Sequence, residues 1–407
     1  MDRIAFTSVW LFVFFIPLED MLFIPGVGAL GRILGLVSLA VGIFALVVTK
    51  TEIRVHRLHI LVSLFVYWAA LSMFWTLDQE YTKERIWTYT QLLVMIGLIF
   101  QWVYTEQRLR ILLKAYVLGA SVAAIATVLN FLDAAEKMQR FALQGFNPNN
   151  LAVILALGIP LGWYVFLTED SRLRGWPYGL YALLAPIAVI LTASRNGMIA
   201  TILALSFVVL SIPFNRWHHR LTLTATAGAA FFLAIYLVPS WTWNRLASTT
   251  EEIGGMNGRF NIWAAGAEAF FQHPLVGVGA GTFKVAVENS LGVLIAPHNV
   301  YVAVLVEMGL IGFFLFILII GSILNEVWKM RGLSRLLWLN IFMVWGISAA
   351  ALNWEWRKQT WLMFVLAATH AAITYKSQTG KVPSEELPES AFTSQQSCPP
   401  LERRGET

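Results

Sequence analysis

The sequence predicts an all-α polytopic membrane protein, and three observations support this fold class. Of its 407 residues, 57% are hydrophobic and 13% are charged, whereas a soluble domain carries about 45–50% apolar and about 25% charged residues. The apolar residues form long runs, such as residues 305–320, rather than the alternating segments of a membrane β-barrel. The single cysteine, Cys398, excludes an internal disulfide and a cysteine-built metal site. A cytosolic enzyme, a secreted disulfide scaffold and a disordered protein are therefore excluded.

The hydropathy pattern predicts about 12 transmembrane helices, because each run is close to the roughly 20 apolar residues that cross a bilayer. They cover about residues 4–18, 30–48, 57–76, 87–104, 109–132, 150–167, 178–193, 197–213, 221–240, 298–321, 335–352 and 359–375. The charged N-terminus leads directly into the first run without a small-residue cleavage site, which predicts that it is not a cleaved signal.

The short loops predict the orientation of the chain. With the N- and C-termini in the cytoplasm, the larger share of the 29 Lys and Arg residues falls on the cytoplasmic side. This pattern is typical of a multi-pass protein of the bacterial inner (plasma) membrane, in contact with membrane lipid. It also accounts for the net charge of +5. Because no basic patch carries interleaved aromatics, no nucleic-acid partner is predicted.

Two regions are predicted along the chain: a transmembrane domain over residues 1–375 and a disordered cytoplasmic tail over residues 376–407, rich in Pro, Ser, Glu and Gln. The largest extramembrane element of the first region is a periplasmic loop of about residues 241–297. Glycines at 277, 279 and 281 permit a tight backbone there. They are weak evidence for a phosphate-binding loop, because no strand–helix unit surrounds them.

An amphipathic helix is predicted inside this loop, after the turn signal Asn257–Gly258 and before Pro274. At 100° per residue, one apolar face is formed by Phe260, Trp263, Ala264, Ala267, Phe270 and Phe271. We expect this helix to lie on the outer membrane surface or to cap the bundle.

Three ionisable residues are the main candidates for chemistry, because charged groups at membrane depth are costly. Arg195 lies in a polar break between two apolar runs, and Arg259 opens the amphipathic helix. His298 lies where the loop re-enters the membrane, and histidine is the usual base near neutral pH. Each has a structural alternative: Arg195 could be an interfacial arginine, Arg259 a solvated loop charge and His298 a histidine bonded to a loop carbonyl. Two guanidiniums and one base fit a diphosphate leaving group and an acceptor hydroxyl.

Other polar residues have both a structural and a functional interpretation. Glu307 is either a buried functional acid or a carboxylate paired with a neighbouring helix. Glu19 and Asp20 are expected to form a solvated helix end, and residues 354–358 are expected to form an aromatic belt with snorkelling cations. Asn147 could bond a sugar or cap a helix. No carboxylate-rich cluster accompanies the arginines, so neither a metal nor a cofactor is predicted.

The order of these motifs resembles the O-antigen ligase and polysaccharide polymerase superfamily. The motifs are Asn147-Pro-Asn-Asn-Leu-Ala152, Ser194-Arg195-Asn196-Gly197, Gly258-Arg259 with Trp263, His273-Pro-Leu-Val-Gly-Val-Gly279 and Pro297-His298-Asn299. They span mainly residues 147–320. The series is fairly specific for the superfamily and not for one member. The predicted outer loop is compact, where many ligases carry a longer one, which leaves the acceptor open.

The resemblance implies a polytopic glycosyltransferase that uses an undecaprenyl-diphosphate-linked glycan donor on the periplasmic side. It implies that arginines at positions 195 and 259 hold the diphosphate and that His298 activates the acceptor hydroxyl. The acceptor is a glycan or lipid A–core. The reaction is expected to be metal-independent and to invert the anomeric centre. The predicted substrate-binding residues are Asn147, Asn196, Trp263, Asn299 and Tyr301.

Two alternatives accompany the ligase hypothesis. One is a polymerase of O-antigen or exopolysaccharide repeat units, which the sequence does not separate from a ligase. The other is a transporter or flippase of a lipid-linked or polar solute. Such a protein more often shows an inverted repeat and helices broken by Gly or Pro at matching positions of two halves, and the sequence shows neither.

Overall fold

The computed structural model describes residues 1–21, 23–24, 28–134, 147–212 and 256–378, with the single residues 218, 221 and 228. These residues form thirteen α-helices, two short 3-10 helices and a two-stranded antiparallel hairpin. The α-helices are α1 Asp2–Phe15, α2 Leu30–Thr49, α3 Arg57–Leu71, α4 Gln79–Trp102, α5 Glu106–Ala134, α6 Pro148–Thr168, α7 Arg172–Leu191, α8 Arg195–Leu210, α9 Met256–Gln272, α10 Phe283–Leu291, α11 Val300–Lys329, α12 Gly332–Ala349 and α13 Lys358–Gln378. The hairpin pairs β1 (Phe23–Ile24) with β2 (Gly28–Ala29).

The predicted all-α polytopic fold is confirmed, although a count of twelve membrane helices is not. Each predicted apolar run within the described ranges coincides with a helix, whereas the run at 221–240 lies almost entirely outside them. Seven described helices are long and apolar enough to cross a membrane, namely α2, α3 with its 3-10 extension, α5, α6, α7, α11 and α12. α8 is apolar but shorter. The predicted tail lies outside the described residues from 379 onwards.

Helix α6 forms the centre of the bundle. It packs against α5, α7, α8 and α12, and nearly every side chain between Leu151 and Val165 is buried. Two buried tyrosines from neighbouring helices bond to its backbone. The Tyr116 hydroxyl donates to the carbonyl of Ile154 (3.0 Å) and the Tyr181 hydroxyl to the carbonyl of Leu155 (2.8 Å). A buried hydroxyl is costly unless it is bonded, so these contacts fix how α5 and α7 pack on α6.

The alternating direction of the helices gives the bundle two ends. α6, α8 and α11 begin at the end called here the upper end, and α3, α5 and α7 begin at the lower end. Ion pairs tie the lower end together: Arg57 Nε lies 2.6 Å from Glu326 Oε1, and Lys114 Nζ lies 2.6 Å from Glu169 Oε2. The loops that lead into α6, α8 and α11 therefore meet at the upper end.

Two expectations for the upper end are wrong. Glu19 and Asp20 are not a solvated helix end: Arg357 binds Asp20 through both guanidinium nitrogens (2.8 and 2.5 Å), and Lys358 pairs with Glu19. Residues 354–358 are not a plain aromatic belt either, because Trp354 is fully buried. The charges of the two segments neutralise each other, which allows both segments to pack inward.

The amphipathic helix is confirmed as α9, which ends before Pro274, and on its predicted apolar face Trp263 and Phe270 are partly buried. The buried side is formed by Ile262, Ala265, Gly266 and Ala269, which pack on α10 and α11. Phe260 and Phe271 on the predicted face remain exposed. The sequence pattern marks the more aromatic face, whereas the bundle takes the face of smaller residues because these let the helices approach closely.

Helix α11 is broken at Gly309, which has φ +66° and ψ −170°. Backbone groups released by the break bond to the loop before α10: the amide nitrogens of Leu310 and Ile311 donate to the carbonyls of Pro274 (2.9 Å) and Leu275 (3.2 Å). Non-helical backbone at membrane depth is tolerated where protein covers it. A Cβ at position 309 would collide with Leu275, so glycine is required by conformation and by space.

Candidate active site

The upper end brings the sequence-predicted residues together around the C-terminal end of α12. The Asn196 side-chain nitrogen lies 3.4 Å from the carbonyl of Ser348, and the Tyr301 hydroxyl donates to the carbonyl of Gly346 (2.8 Å). After α12, Asn353 Nδ2 lies 3.4 Å from His298 Nδ1. The segment 346–353 therefore joins the starts of α8 and α11.

His298 occupies a strained backbone position at the start of α11. Its φ is +49°, in the left-handed region that non-glycine residues rarely adopt. Such conformations persist where the surroundings hold them, and they cluster at functional sites. Asn299 follows as the helix N-cap, and its Oδ1 accepts from the amide nitrogens of Tyr301 (2.9 Å) and Val302 (3.2 Å). The cap fixes where the helix starts and thus how His298 is presented.

Trp263 holds the residue before His298. Its indole nitrogen donates to the carbonyl of Pro297 (2.8 Å), and its ring packs edge-on against Phe260. This bond ties α9 to the loop that carries the histidine. His298 is thereby fixed from both sides in sequence, by a tryptophan bond on one side and by a helix cap on the other.

Two cations surround His298. Partial burial lowers its pKa, and the nearby charges of Arg259 on α9 and Lys284 on α10 lower it further. The ring is therefore neutral at physiological pH, which is the form that accepts a proton. Burial also lowers the pKa of Arg259, but an arginine remains charged in proteins. The surroundings of His298 combine a neutral base with a positive potential.

Arg195 lies at the first position of α8, at the same end of the bundle. Its side chain is exposed. Ser194 caps the helix by accepting from the amide nitrogen of Gly197 (3.1 Å), and the preceding Ala193 has φ +50°. Arg259 acts electrostatically on His298. Arg195 lies at the same end of the bundle, since the next residue, Asn196, contacts the carbonyl of Ser348.

The predicted substrate-binding residues all make hydrogen bonds within the protein. Asn147 Oδ1 caps α6 by accepting from the amide nitrogen of Asn149 (2.9 Å), which supports its structural interpretation. Asn196, Trp263, Asn299 and Tyr301 each bond to backbone groups at the upper end. These hydrogen bonds fix the five side chains within the framework of the upper end.

The glycine-rich loop links the site to the break in α11. Gly277, Gly279 and Gly281 all have positive φ. The amide nitrogens of Val278 and Gly279 donate to the carbonyls of Val306 (3.0 Å) and Glu307 (2.9 Å). A Cβ at 279 would collide with Thr76 in the loop before α4. The glycines thus permit close backbone approach, as the sequence indicates.

A second charged cluster lies beside this loop, and the sequence analysis did not predict it as a unit. Arg85 Nη1 lies 2.8 Å from Glu355 Oε1 and 3.3 Å from Glu307 Oε2, and both carboxylates are almost fully buried. Glu307 also accepts from the amide nitrogen of Gly281 (2.8 Å). Burial raises the pKa of Glu355 to about 7, against the opposing charge of Arg85. Of the two interpretations of Glu307, the paired carboxylate agrees with these contacts.

The sequence of this chain is similar to that of O-antigen ligases. Residues 180–317 match the model of the O-antigen ligase family. The resemblance to the O-antigen ligase superfamily is confirmed. An O-antigen ligase of Pseudomonas aeruginosa is 27% identical over 235 residues, which make up 57% of this chain and 55% of that protein. The chain therefore spans about half the length of the curated relative that it matches.

The match to the O-antigen ligase family runs from α7 into α11, so it includes Arg195, Arg259 and His298. Asn353 and Lys284 were missed by sequence reasoning. Neither lies in a recognisable motif, and only the fold brings them to His298.

Proposed function

We propose that this chain transfers a glycan from undecaprenyl diphosphate to an acceptor hydroxyl on the periplasmic face of the inner membrane. The acceptor in this proposal is lipid A–core or another glycan. The observation that carries the proposal is the place of the partly buried His298 at the end of the bundle where Arg195 also lies, with a pKa that burial and the charge of Arg259 lower. A base next to cationic groups matches a reaction that deprotonates an alcohol while releasing an anion.

In the proposed reaction, His298 takes the proton of the acceptor hydroxyl as its oxygen attacks the anomeric carbon. The carbon–oxygen bond to the diphosphate breaks as the new bond forms, and the anomeric centre inverts. Arg195 and Arg259 bind the diphosphate and stabilise the charge that develops on it, since guanidinium forks match phosphate oxygens. The protein's own groups supply the base and the positive charge.

The sugar-binding surroundings in this proposal are Asn147, Asn196, Trp263, Asn299 and Tyr301. Their hydrogen bonds to backbone groups hold them in place. Pre-organised walls reduce the cost of ordering the site when a sugar binds. The proposed transmembrane domain covers residues 1–375, and both termini are proposed to lie in the cytoplasm.

The first test is rescue of a deletion strain by the wild-type chain or by His298→Ala, with the glycans separated on a gel. Loss of a general base typically costs about 10²–10⁴-fold in rate, so we expect the variant to fail. Loss of lipid A-linked polymer with carrier-linked polymer retained would support the ligase. Single repeat units in place of long chains would instead indicate a polymerase.

The controls for this test separate catalysis from folding. His298→Ala should reach the membrane in wild-type amounts, because the ring is only partly buried. If the deletion leaves every glycan unchanged, the chain is not a glycan transferase and the transporter alternative gains support. If His298→Ala restores full transfer, the histidine is not the base.

A further inference from the structure

We infer that Asn353 is a positioning residue that fixes the tautomer of His298, by accepting a hydrogen bond from Nδ1–H through its side-chain oxygen. The inference rests on the proposed function, because it matters only if His298 acts as a base. It concerns a residue outside the recognisable motifs, in the segment between α12 and α13.

Geometry places the two side chains in contact. Asn353 Nδ2 lies 3.4 Å from His298 Nδ1, so Nδ1 faces the amide. Among the described residues, no hydrogen-bonding group of the protein is recorded at Nε2. Nε2 is therefore the nitrogen left to meet an acceptor hydroxyl. The two ring nitrogens have distinct roles, and the hydrogen bond at one decides the protonation of the other.

The tautomer follows from the role of the ring. A neutral imidazole carries one proton, so Nε2 can accept only if Nδ1 holds that proton. Nδ1–H needs an acceptor. The side-chain amide of Asn353 supplies one when it is rotated by half a turn about its terminal bond, which exchanges the positions of Oδ1 and Nδ2. The number of hydrogen bonds does not separate the two amide orientations, because Oδ1 is buried without a partner as placed and Nδ2 would take that position. The proton on His298 separates them, because an Nδ1 that carries the proton can bond only to the orientation in which Oδ1 faces it.

The backbone holds Asn353 in place for this task. Next to it, Trp354 is buried, and its indole nitrogen donates to Asn150 Oδ1 (3.0 Å) at the start of α6. The Thr360 hydroxyl donates to the carbonyl of Trp354 (2.8 Å). The amide is thus carried by a segment that the next residue, Trp354, anchors to the bundle, which suits a residue that orients another.

Two substitutions distinguish acceptance from donation. In Asn353→Asp, the carboxylate can accept from Nδ1–H but cannot donate. In Asn353→Leu, a side chain of similar size can do neither. We expect Asn353→Leu to lose about 10–100-fold in transfer rate, by analogy with the partners that orient metal-binding histidines, and Asn353→Asp to stay within a few-fold of wild type.

A pH profile adds a readout that a purely structural role would not move. The charged groups that face His298 are Arg259 from α9 and Lys284 from α10, and both lower its pKa. A carboxylate at 353 would raise that pKa, because it stabilises the imidazolium. Less of the ring is then neutral at low pH, so the acid limb of the rate profile of Asn353→Asp should move to higher pH.

The experiment mixes each purified full-length variant with membranes of the deletion strain, which contain donor and acceptor, and follows transfer against pH. An Asn353→Asp variant as inactive as Asn353→Leu, with both unfolding at the wild-type temperature, would overturn the inference. So would an Asn353→Leu variant with wild-type rates. Should His298→Ala transfer glycan at the wild-type rate in the same assay, the proposed function fails instead, so the two failures are distinguishable.

Discussion

Two of the groups of charges at the upper end of the bundle differ in how their charges are balanced. In the buried cluster, one arginine, Arg85, faces two carboxylates, Glu307 and Glu355. Around His298, the nearby charges are both positive, on Arg259 and Lys284. Among the described residues, no carboxylate forms an ion pair with either of these two cations. In the first group the cation is paired with carboxylates, whereas the charges near His298 that the described residues supply are only positive.

We expect this difference to distinguish structural charges from charges that bind a ligand. A buried ion pair without its partner is strongly destabilising, so the cluster around Arg85 holds the loop before α10 against α4 and α11. Cations without a carboxylate partner attract an anion from outside the protein. Substitution in the cluster around Arg85 should therefore lower mainly the stability of the protein. Substitution of the cations near His298 should lower mainly the transfer activity.

Arg85→Ala should have the largest effect on stability. It leaves Glu307 and Glu355 buried without a cation, which typically costs about 3–5 kcal/mol. We expect a lower unfolding temperature in detergent and reduced amounts in the membrane. Arg85→Lys, which keeps the charge, serves as the matched control. An unfolding temperature for Arg85→Ala equal to that of wild type would show that the cluster does not hold the loop.

Arg259→Ala should show the opposite pattern, with transfer lowered about 10²–10³-fold, as when one donor to a developing oxyanion is removed. Its unfolding temperature should stay near that of wild type, because the side chain is only partly buried. Arg259→Lys should also be impaired, since lysine lacks the planar fork. Undiminished product from the lysine variant would argue against bidentate contact with the diphosphate.

Lys284→Ala should have the smallest effect. Its charge helps to lower the pKa of His298, so its removal raises that pKa. Fewer rings are then neutral at low pH, and the acid limb of the transfer profile should move to higher pH by less than about one unit. Lys284→Arg keeps the charge and should leave the profile in place. A shift in the opposite direction would contradict the electrostatic role of Lys284.

The fold class could be predicted from sequence because long apolar runs have few alternatives in a membrane. Some helix boundaries also follow, as the start of α6 at Pro148 after Asn147 shows, whereas α4 begins at Gln79, well before the apolar run predicted from residue 87. The break in α11 was not predicted. Gly309 sits within a continuous apolar run, and a single glycine gives no sign that backbone from a distant loop will pair with it.

The site could be predicted only in part. Arg195, Arg259 and His298 stand out because they are charged or titratable residues beside apolar runs. Asn353 does not stand out, since its importance comes from a contact across 55 residues of chain. The most buried side of α9 was missed because small residues such as Gly266 and Ala269 carry little hydrophobic signal, although they allow the closest approach.

The break at Gly309 also affects how deep the two parts of α11 lie in the membrane. A bilayer's hydrocarbon core is about 30 Å thick, and α-helix rises about 1.5 Å per residue. The part of α11 that follows Gly309 and ends at Lys329 is about 30 Å long on that rise, enough to cross the core alone. The part before the break can then lie in the headgroup layer. Its depth in the membrane is set by the loop before α10, which is bonded to it, rather than by the tilt of the spanning helix. In the proposed reaction, His298 would then lie at the level of the lipid headgroups, where the diphosphate of a lipid-linked donor is found.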